Sequence, residues 1–276
     1  MDTLRYQIAG VPVEVRAATP GALDDVAPIY RRFATDAPPR LTIEVARVAG
    51  FDRAPSPVYP AFERAALPDG RVRVERYDAE GEIATGDLPL AATFRVGPSA
   101  NSLEACLRIA ASLALPRAGA LILHASAVEH AGAALVFTGH SGAGKSTISS
   151  LLAGVPACAK IADELLVLRR ADDGWEVVVP PSLGPAGVPH GATAPLASVD
   201  VLVQAPAHAR TCLAAPAALR ALLRNVLVYV AEPRTAERVL ALADDLTAAV
   251  PCHQLEFRKD AGVANVLGIS PARVAS

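Results

Sequence analysis

Along residues 1–97, apolar and polar positions alternate in short bursts separated by proline and glycine. Leu4–Ile8, Val11–Val15 and Leu41–Val48 carry the period of two expected of half-buried strands. Arg71–Ile83 alternates on both sides of Tyr77-Asp-Ala-Glu-Gly81 and predicts a hairpin. Pro38-Pro39 and Ala54-Pro-Ser-Pro57 punctuate these runs. This segment holds no chemical motif, and its pattern predicts a β-rich accessory or substrate-docking domain.

From residue 98 the period changes. Asn101–Leu115 places Leu103, Cys106, Leu107, Ile109 and Ala110 along one side of a predicted helix. A turn at Pro116–Gly119 leads into a strand over Ala120–Ser126, and a turn near His130–Gly132 leads into an apolar strand over Ala133–Phe137. Ile148, Leu151 and Leu152 predict a helix over Ser146–Ala153. Strand-like sequence follows at Lys160–Leu168, Trp175–Val179 and Val199–Val203, with a loop expected over Pro180–Pro195. Ala214–Leu227 and Thr235–Ala249 are amphipathic, and Gln254–Phe257 predicts a last strand. Mixed strands and helices predict an α/β domain over residues 98–276, behind the smaller β-rich domain of residues 1–97.

Composition narrows the function. Of the 276 residues, 52% are hydrophobic, but alanine inflates this figure, and no run of about 18 apolar residues lacks a charge. A membrane span is therefore not expected. The formal charge of −2 argues against a general nucleic-acid binder, which needs a basic face. The N-terminal residues Met1-Asp-Thr-Leu-Arg-Tyr6 lack the layout of a secretory signal. Cys106, Cys158, Cys212 and Cys252 form no Cys-x-x-Cys pair and predict reduced, mostly buried thiols in a cytoplasmic protein.

The chemistry begins at Gly139-His-Ser-Gly-Ala-Gly-Lys-Ser-Thr147, a glycine, four free positions, then Gly-Lys-Ser. This P-loop pattern, set between a strand and a helix, predicts a nucleoside triphosphate with Mg²⁺. Backbone N–H groups across Gly139, Ser141, Gly142, Ala143, Gly144, Lys145, Ser146 and Thr147 would cradle phosphate, aided by the helix N-terminus. Lys145 would reach the β- and γ-phosphates, and the Ser146 hydroxyl would sit on Mg²⁺. Asp163-Glu164 follows at about the distance of one βαβ crossover, as expected of acidic residues at the end of a neighbouring strand. Such carboxylates hold the metal or accept a proton from an attacking hydroxyl. His124 lies on the strand before the loop strand, as either a core residue or a proton carrier. His140 carries no expected role. Arg210, Arg220 and Arg224 read as solvated faces or a charge-stabilising arginine, and His190 as a weak candidate for substrate contact.

The order Leu123-His-Ala-Ser126, glycine turn, apolar strand, Gly-x-Ser-Gly-Ala-Gly-Lys-Ser-Thr, then Ala162-Asp-Glu164 resembles the HPr kinase/phosphorylase-like family over residues 100–210, and more weakly to about residue 260. The resemblance implies a P-loop kinase core with a mixed sheet and flanking helices. It implies Mg²⁺-dependent transfer of phosphate from ATP to a serine hydroxyl of a protein or peptide, and the expectation for this chain is a kinase acting on a serine or threonine hydroxyl. The family's histidine maps onto His124, and its acidic pair onto Asp163 and Glu164. Asp163 would then be base or metal partner, with His124 helping to manage the proton and Lys145 completing the catalytic set. Ser146, Asp163 and Glu164 would hold the metal. Relatives form oligomers, so a homo-oligomer fits. The chain departs from the family in its Asp-Glu pair, in Pro180-Pro-Ser-Leu-Gly184 where relatives have Gly-Thr-Pro-Phe, and in lacking the C-terminal signature. It looks more like divergent relatives found beside modified-peptide genes. The alternative expectation is a nucleotide-binding or ATPase module that regulates a peptide-modifying complex.

Overall fold

The computed structural model describes residues 2–51, 63–181, 191–230 and 232–269. The chain folds into two compact units. The first comprises Met1–Ala118 with Pro181–Leu183 and Val228–Ala236; the second comprises Gly119–Pro180, Gly184–Leu227 and Glu237–Ser276. Among the described residues each unit carries a seven-stranded sheet, and the protein is mixed α/β.

In the first unit the strands are β1 (Thr3–Ile8), β2 (Val11–Ala17), β3 (Leu41–Arg47), β4 (Glu63–Ala66), β5 (Arg71–Glu75), β6 (Ala79–Ala84) and β7 (Leu90–Val96). They lie in the order β1-β2-β3-β7-β6-β5-β4. β3 runs parallel to β2 and β7, and the other pairs are antiparallel. Ala9 (φ 48) and Gly10 (φ 79) make the β1–β2 turn, a two-residue connection whose positive angles match the twist of the flanking strands. The chain passes from β2 to β3 through α1 (Ala27–Tyr30) and a 3-10 turn at Arg31–Phe33. The predicted hairpin over Arg71–Ile83 appears as β5 and β6, while Ala54–Pro57 lies outside the described residues.

The helix α2 (Ala100–Arg117) belongs to this unit and packs on β3, β6 and β7. Sequence periodicity gave it one apolar side, but Arg108 is its one residue between Ser102 and Arg117 that is not buried. Alanine and serine fill most of its remaining circumference, with the buried Glu104 among them, so small size rather than a stripe of large residues permits most of the burial. At its end the buried Arg117 guanidinium donates to the carbonyls of Thr85, Gly86 and Leu113, to Thr235 Oγ1 and to Glu232 Oε2.

The second unit contains β8 (Ala120–His130), β9 (Ala133–Thr138), α3 (Lys145–Ala153), β10 (Cys158–Ala171), β11 (Gly174–Val178), β12 (Thr193–Gln204), β13 (Ala209–Cys212), α4 (Ala215–Leu223), most of α5 (Pro233–Ala249), β14 (Cys252–Phe257) and α6 (Val263–Val266). The sheet order is β11-β10-β8-β9-β12-β14-β13, and β11 also pairs with β12. Among its described strand pairs only β9–β12 and β12–β14 are parallel. Ala131 (φ 53) and Gly132 (φ 80) close the β8–β9 hairpin.

The crossover expectation needs correction. The strand after α3 is not a parallel neighbour of β9; β10 lies antiparallel against the far side of β8. The chain reverses through Gly154 and through Ala157 (φ 62) and returns along that side. Asp163 therefore stands within a long strand opposite Ser126, not at the end of a parallel strand. The first parallel partner of β9 is β12, reached after the β10–β11 hairpin. Of the loop expected at Pro180–Pro195, residues 182–190 lie outside the described residues and Thr193–Pro195 belong to β12. The predicted helix over Ala214–Leu227 ends at Leu223, and Leu227 N–H donates to Ile122 O along the half of β8 that β9 does not reach.

Candidate functional site

Residues Gly139–Gly144 join β9 to α3. Beneath them Phe137, Ala143, Ile148, Leu152, Leu202, Leu255 and Phe257 form a buried cluster that seats the loop. Gly144 shows why the sequence needs glycine there. Its φ of 105 is left-handed, and an added Cβ would stand 2.6 Å from Phe257 Cζ. The tip, His140–Gly142, is exposed, and Gln204 Nε2 at the end of β12 donates to Gly142 O at 2.8 Å. The N-cap of α3, Gly144, provides no side-chain cap. Among the described residues, the N–H groups of Gly144, Lys145, Ser146 and Thr147 donate to nothing, and such free amides make a helix start attractive to anions.

Lys145 begins that helix with its side chain folded back over the loop. Its Nζ donates to Gly139 O at 3.0 Å and His140 O at 3.2 Å. The residue is only 8% exposed. Burial holds the ammonium pKa below its ordinary value, while the Asp163 carboxylate pulls the other way. Two neutral carbonyls are a modest substitute for water around a buried cation. Ser126 Oγ on β8 donates to Lys145 O at 2.7 Å, fixing the first turn of α3 to the sheet.

Asp163 lies across from Ser126, and each of its carboxylate oxygens accepts a hydrogen bond. Ser146 Oγ donates to Oδ1 at 2.7 Å, and Lys160 Nζ donates to Oδ2 at 2.5 Å. Glu164 is exposed and adopts φ 100, a left-handed angle unusual for a non-glycine residue. Strain of this kind costs about 1–3 kcal/mol and persists only where the surroundings impose it; here β10 stays in register with β8 on both sides. His124 pairs with Leu165 in the same ladder. Its N–H donates to Asn225 O and its carbonyl accepts from Thr138 Oγ1, so its backbone is fixed, while its ring has no hydrogen-bond partner among the described residues. Burial lowers the ring's pKa, the Lys145 charge lowers it further, and Glu164 opposes both. The imidazole is therefore neutral at pH 7.

The structure thus brings Lys145, Ser146 and Asp163 into one connected group, with His124 and Glu164 electrostatically coupled to it. His140 turns its Nδ1 to Ser141 O at the exposed tip. Arg210 is not on a solvated helix face: it lies on β13, bound to the fully buried Asp200 and to Ser198. Arg220 and Arg224 are exposed, and His190 lies outside the described residues. All four cysteines are free; Cys106 and Cys252 are buried and Cys212 is exposed. Sequence reasoning missed Lys160, Gln204 and Phe257. The available signal for Lys160 was scarcity, since the chain has only three lysines. No local signal marks the other two.

Mg²⁺ accepts one or two protein oxygens and keeps waters and phosphate oxygens for the rest. Ser146 Oγ and Asp163 Oδ1 are hard donors 2.7 Å apart and fit that demand. Among the described residues there is no group of three His, Cys, Asp or Glu side chains able to hold a metal without such help.

No protein-family model matches the sequence, and no curated protein matches it. Among solved structures the chain is similar to the HPr(Ser) kinase/phosphatase from Coxiella burnetii, at 11% identity over 54% of this chain and 92% of that chain, with a TM-score of 0.31. So distant a likeness neither assigns the chain to that family nor bears on its activity. No helix among the described residues is long and apolar enough to cross a membrane.

Proposed function

We propose that this protein is an ATP-dependent kinase that transfers the γ-phosphate to a serine or threonine hydroxyl of a protein or peptide. The observation that carries the reading is the helix start at Gly144–Thr147, where unpaired amides, a buried ammonium and a hydroxyl–carboxylate pair converge. Amides and ammonium suit the phosphates, and phosphate oxygens would give Lys145 the charged partner that Gly139 O and His140 O do not. Ser146 and Asp163, with the exposed Glu164 beside them, would hold Mg²⁺ as the triphosphate binds. When bound, Mg²⁺ neutralises charge on the phosphates.

The residues divide the remaining work. Asp163, once its carboxylate is freed from Ser146, takes the proton of the acceptor hydroxyl. His124, neutral and without a ring partner among the described residues, would take that proton from Asp163 as imidazolium and release it to solvent, which its half-buried ring reaches. Ser126 and Phe257 hold the helix start in place, and catalysis of this kind is mostly positioning and charge stabilisation. The engagement of both Asp163 oxygens favours a second reading, a nucleotide-binding or ATPase module that regulates a peptide-modifying complex.

The test uses ATP labelled at the γ-phosphate, purified protein and host extract, with proteins and small peptides both resolved. A labelled acceptor that is lost with Lys145→Ala and with Asp163→Asn supports the kinase. Label released only as free phosphate supports the regulatory ATPase, and absence of ATP binding refutes both.

A further inference from the structure

Lys160 is the second of the three lysines to reach this site, and the function proposed above does not use it. In an ordinary strand, residues three apart point to opposite faces. Lys160 and Asp163 nevertheless share a face, because the β10–β8 register shifts between Lys160 and Ala162. Lys160 pairs with Val128 and Asp163 with Ser126, two positions apart on β8 and hence on the same side. The extra residue, Ile161, is the kind of bulge that re-aims a side chain. The re-aimed ammonium lies 2.5 Å from Asp163 Oδ2 and 3.5 Å from Ser150 Oγ, and its side chain is 23% exposed.

We infer that Lys160 is a resident cation that keeps divalent metal off Asp163 until nucleotide arrives, so that metal and nucleotide bind together rather than in sequence. The inference rests on the nucleotide reading above. Without phosphate, an approaching divalent ion meets a carboxylate already neutralised by a fixed ammonium, with the Ser146 hydroxyl beside it and the exposed, single carboxylate of Glu164 as the remaining charge. Like charges at such range repel strongly where solvent screens them only in part. A triphosphate changes the balance. It brings oxygens for the metal and enough negative charge to accommodate both cations. Lys160 is thus a positioning residue that governs metal affinity, without contact with the reacting atoms.

The test measures Mn²⁺ binding by electron paramagnetic resonance, without nucleotide, to wild type, Lys160→Met, Lys160→Gln and Lys160→Arg, each checked for folding by circular dichroism. Removing the charge should tighten Mn²⁺ binding by about tenfold, whereas Lys160→Arg should match wild type. Equal affinity in all four proteins overturns the inference, as does tight Mn²⁺ binding by wild type or tightening in the arginine variant. In parallel, a fluorescent ATP analogue with excess Mg²⁺ is titrated into wild type and Lys145→Ala. Binding by wild type alone keeps the nucleotide reading whatever the Mn²⁺ result. Failure to bind wild type removes that reading, and the inference with it.

Discussion

Gly144→Ala tests whether the loop is held by its backbone angle and by packing together. The methyl group would meet two obstacles. At φ 105 a non-glycine residue costs about 1–3 kcal/mol. The Cβ would also stand 2.6 Å from Phe257 Cζ, and that ring is fully buried against Ala143, Ile148, Leu202 and Leu255 and has nowhere to go. Overpacking of a filled core adds about 1–3 kcal/mol. The expected total is about 3–4 kcal/mol, a large share of the stability of most domains. Urea unfolding followed through Trp175, the single tryptophan and a buried residue of the same unit, measures it. Repeating the substitution in a Phe257→Leu background removes Cζ and should leave only the backbone cost. The reasoning fails if Gly144→Ala costs less than about 0.5 kcal/mol, or if its cost is the same in both backgrounds.

Three further outcomes follow from the structure. Lys145→Met removes a buried cation whose hydrogen-bond acceptors among the described residues are two neutral carbonyls. It should leave the urea midpoint unchanged or higher while abolishing the rise in melting temperature that the proposed function predicts for wild type with ATP and Mg²⁺; a lowered midpoint with an intact ATP response would contradict this. Arg117→Ala leaves the carbonyls of Thr85, Gly86 and Leu113 without that donor in a buried site and takes the cation from Glu232, which keeps only the Arg234 and Thr235 donors, and should cost about 3–5 kcal/mol; calorimetry showing no loss would refute it. The folded-state pKa of His124 lies below its ordinary 6.5, so the folded protein resists protonating a ring that the unfolded chain accepts. Its contribution to stability is present above about pH 6.5 and is lost as pH falls through the lower folded value. His124→Gln should reduce the slope of stability against pH in that window, and an unchanged slope would assign the dependence to other groups, His253 among them.

The features legible in the sequence were those whose causes are local. The glycine loop could be read because Gly144, Lys145 and Ser146 are adjacent, and the strand and helix flanking them carry their own periodicities. The β8–β9 hairpin was legible for the same reason. Asp163 was found by spacing, but the geometry behind the spacing was different: strand pairing is set by tertiary packing, and nothing in residues 154–165 says that β10 will return along β8. Lys160 stayed hidden because alternation places it opposite Asp163 unless Ile161 is known to bulge. Phe257 and Gln204 come from distant strands and reveal themselves only where they touch Gly144 and Gly142.

The double pairing of β11 changes how the second unit comes apart. With β10 on one side and β12 on the other, β11 closes β10, β8, β9 and β12 into a ring of five strands. The shift between Leu196 and Ser198 lets β12 leave β11 and run on beside β9. A ring has no outermost member from which to fray. Amide protons in its five strands should therefore exchange with solvent as one block, at the rate of global opening. The loop strand β9 and the Asp163 strand β10 belong to that block, so separating the two halves of the site requires melting the whole ring.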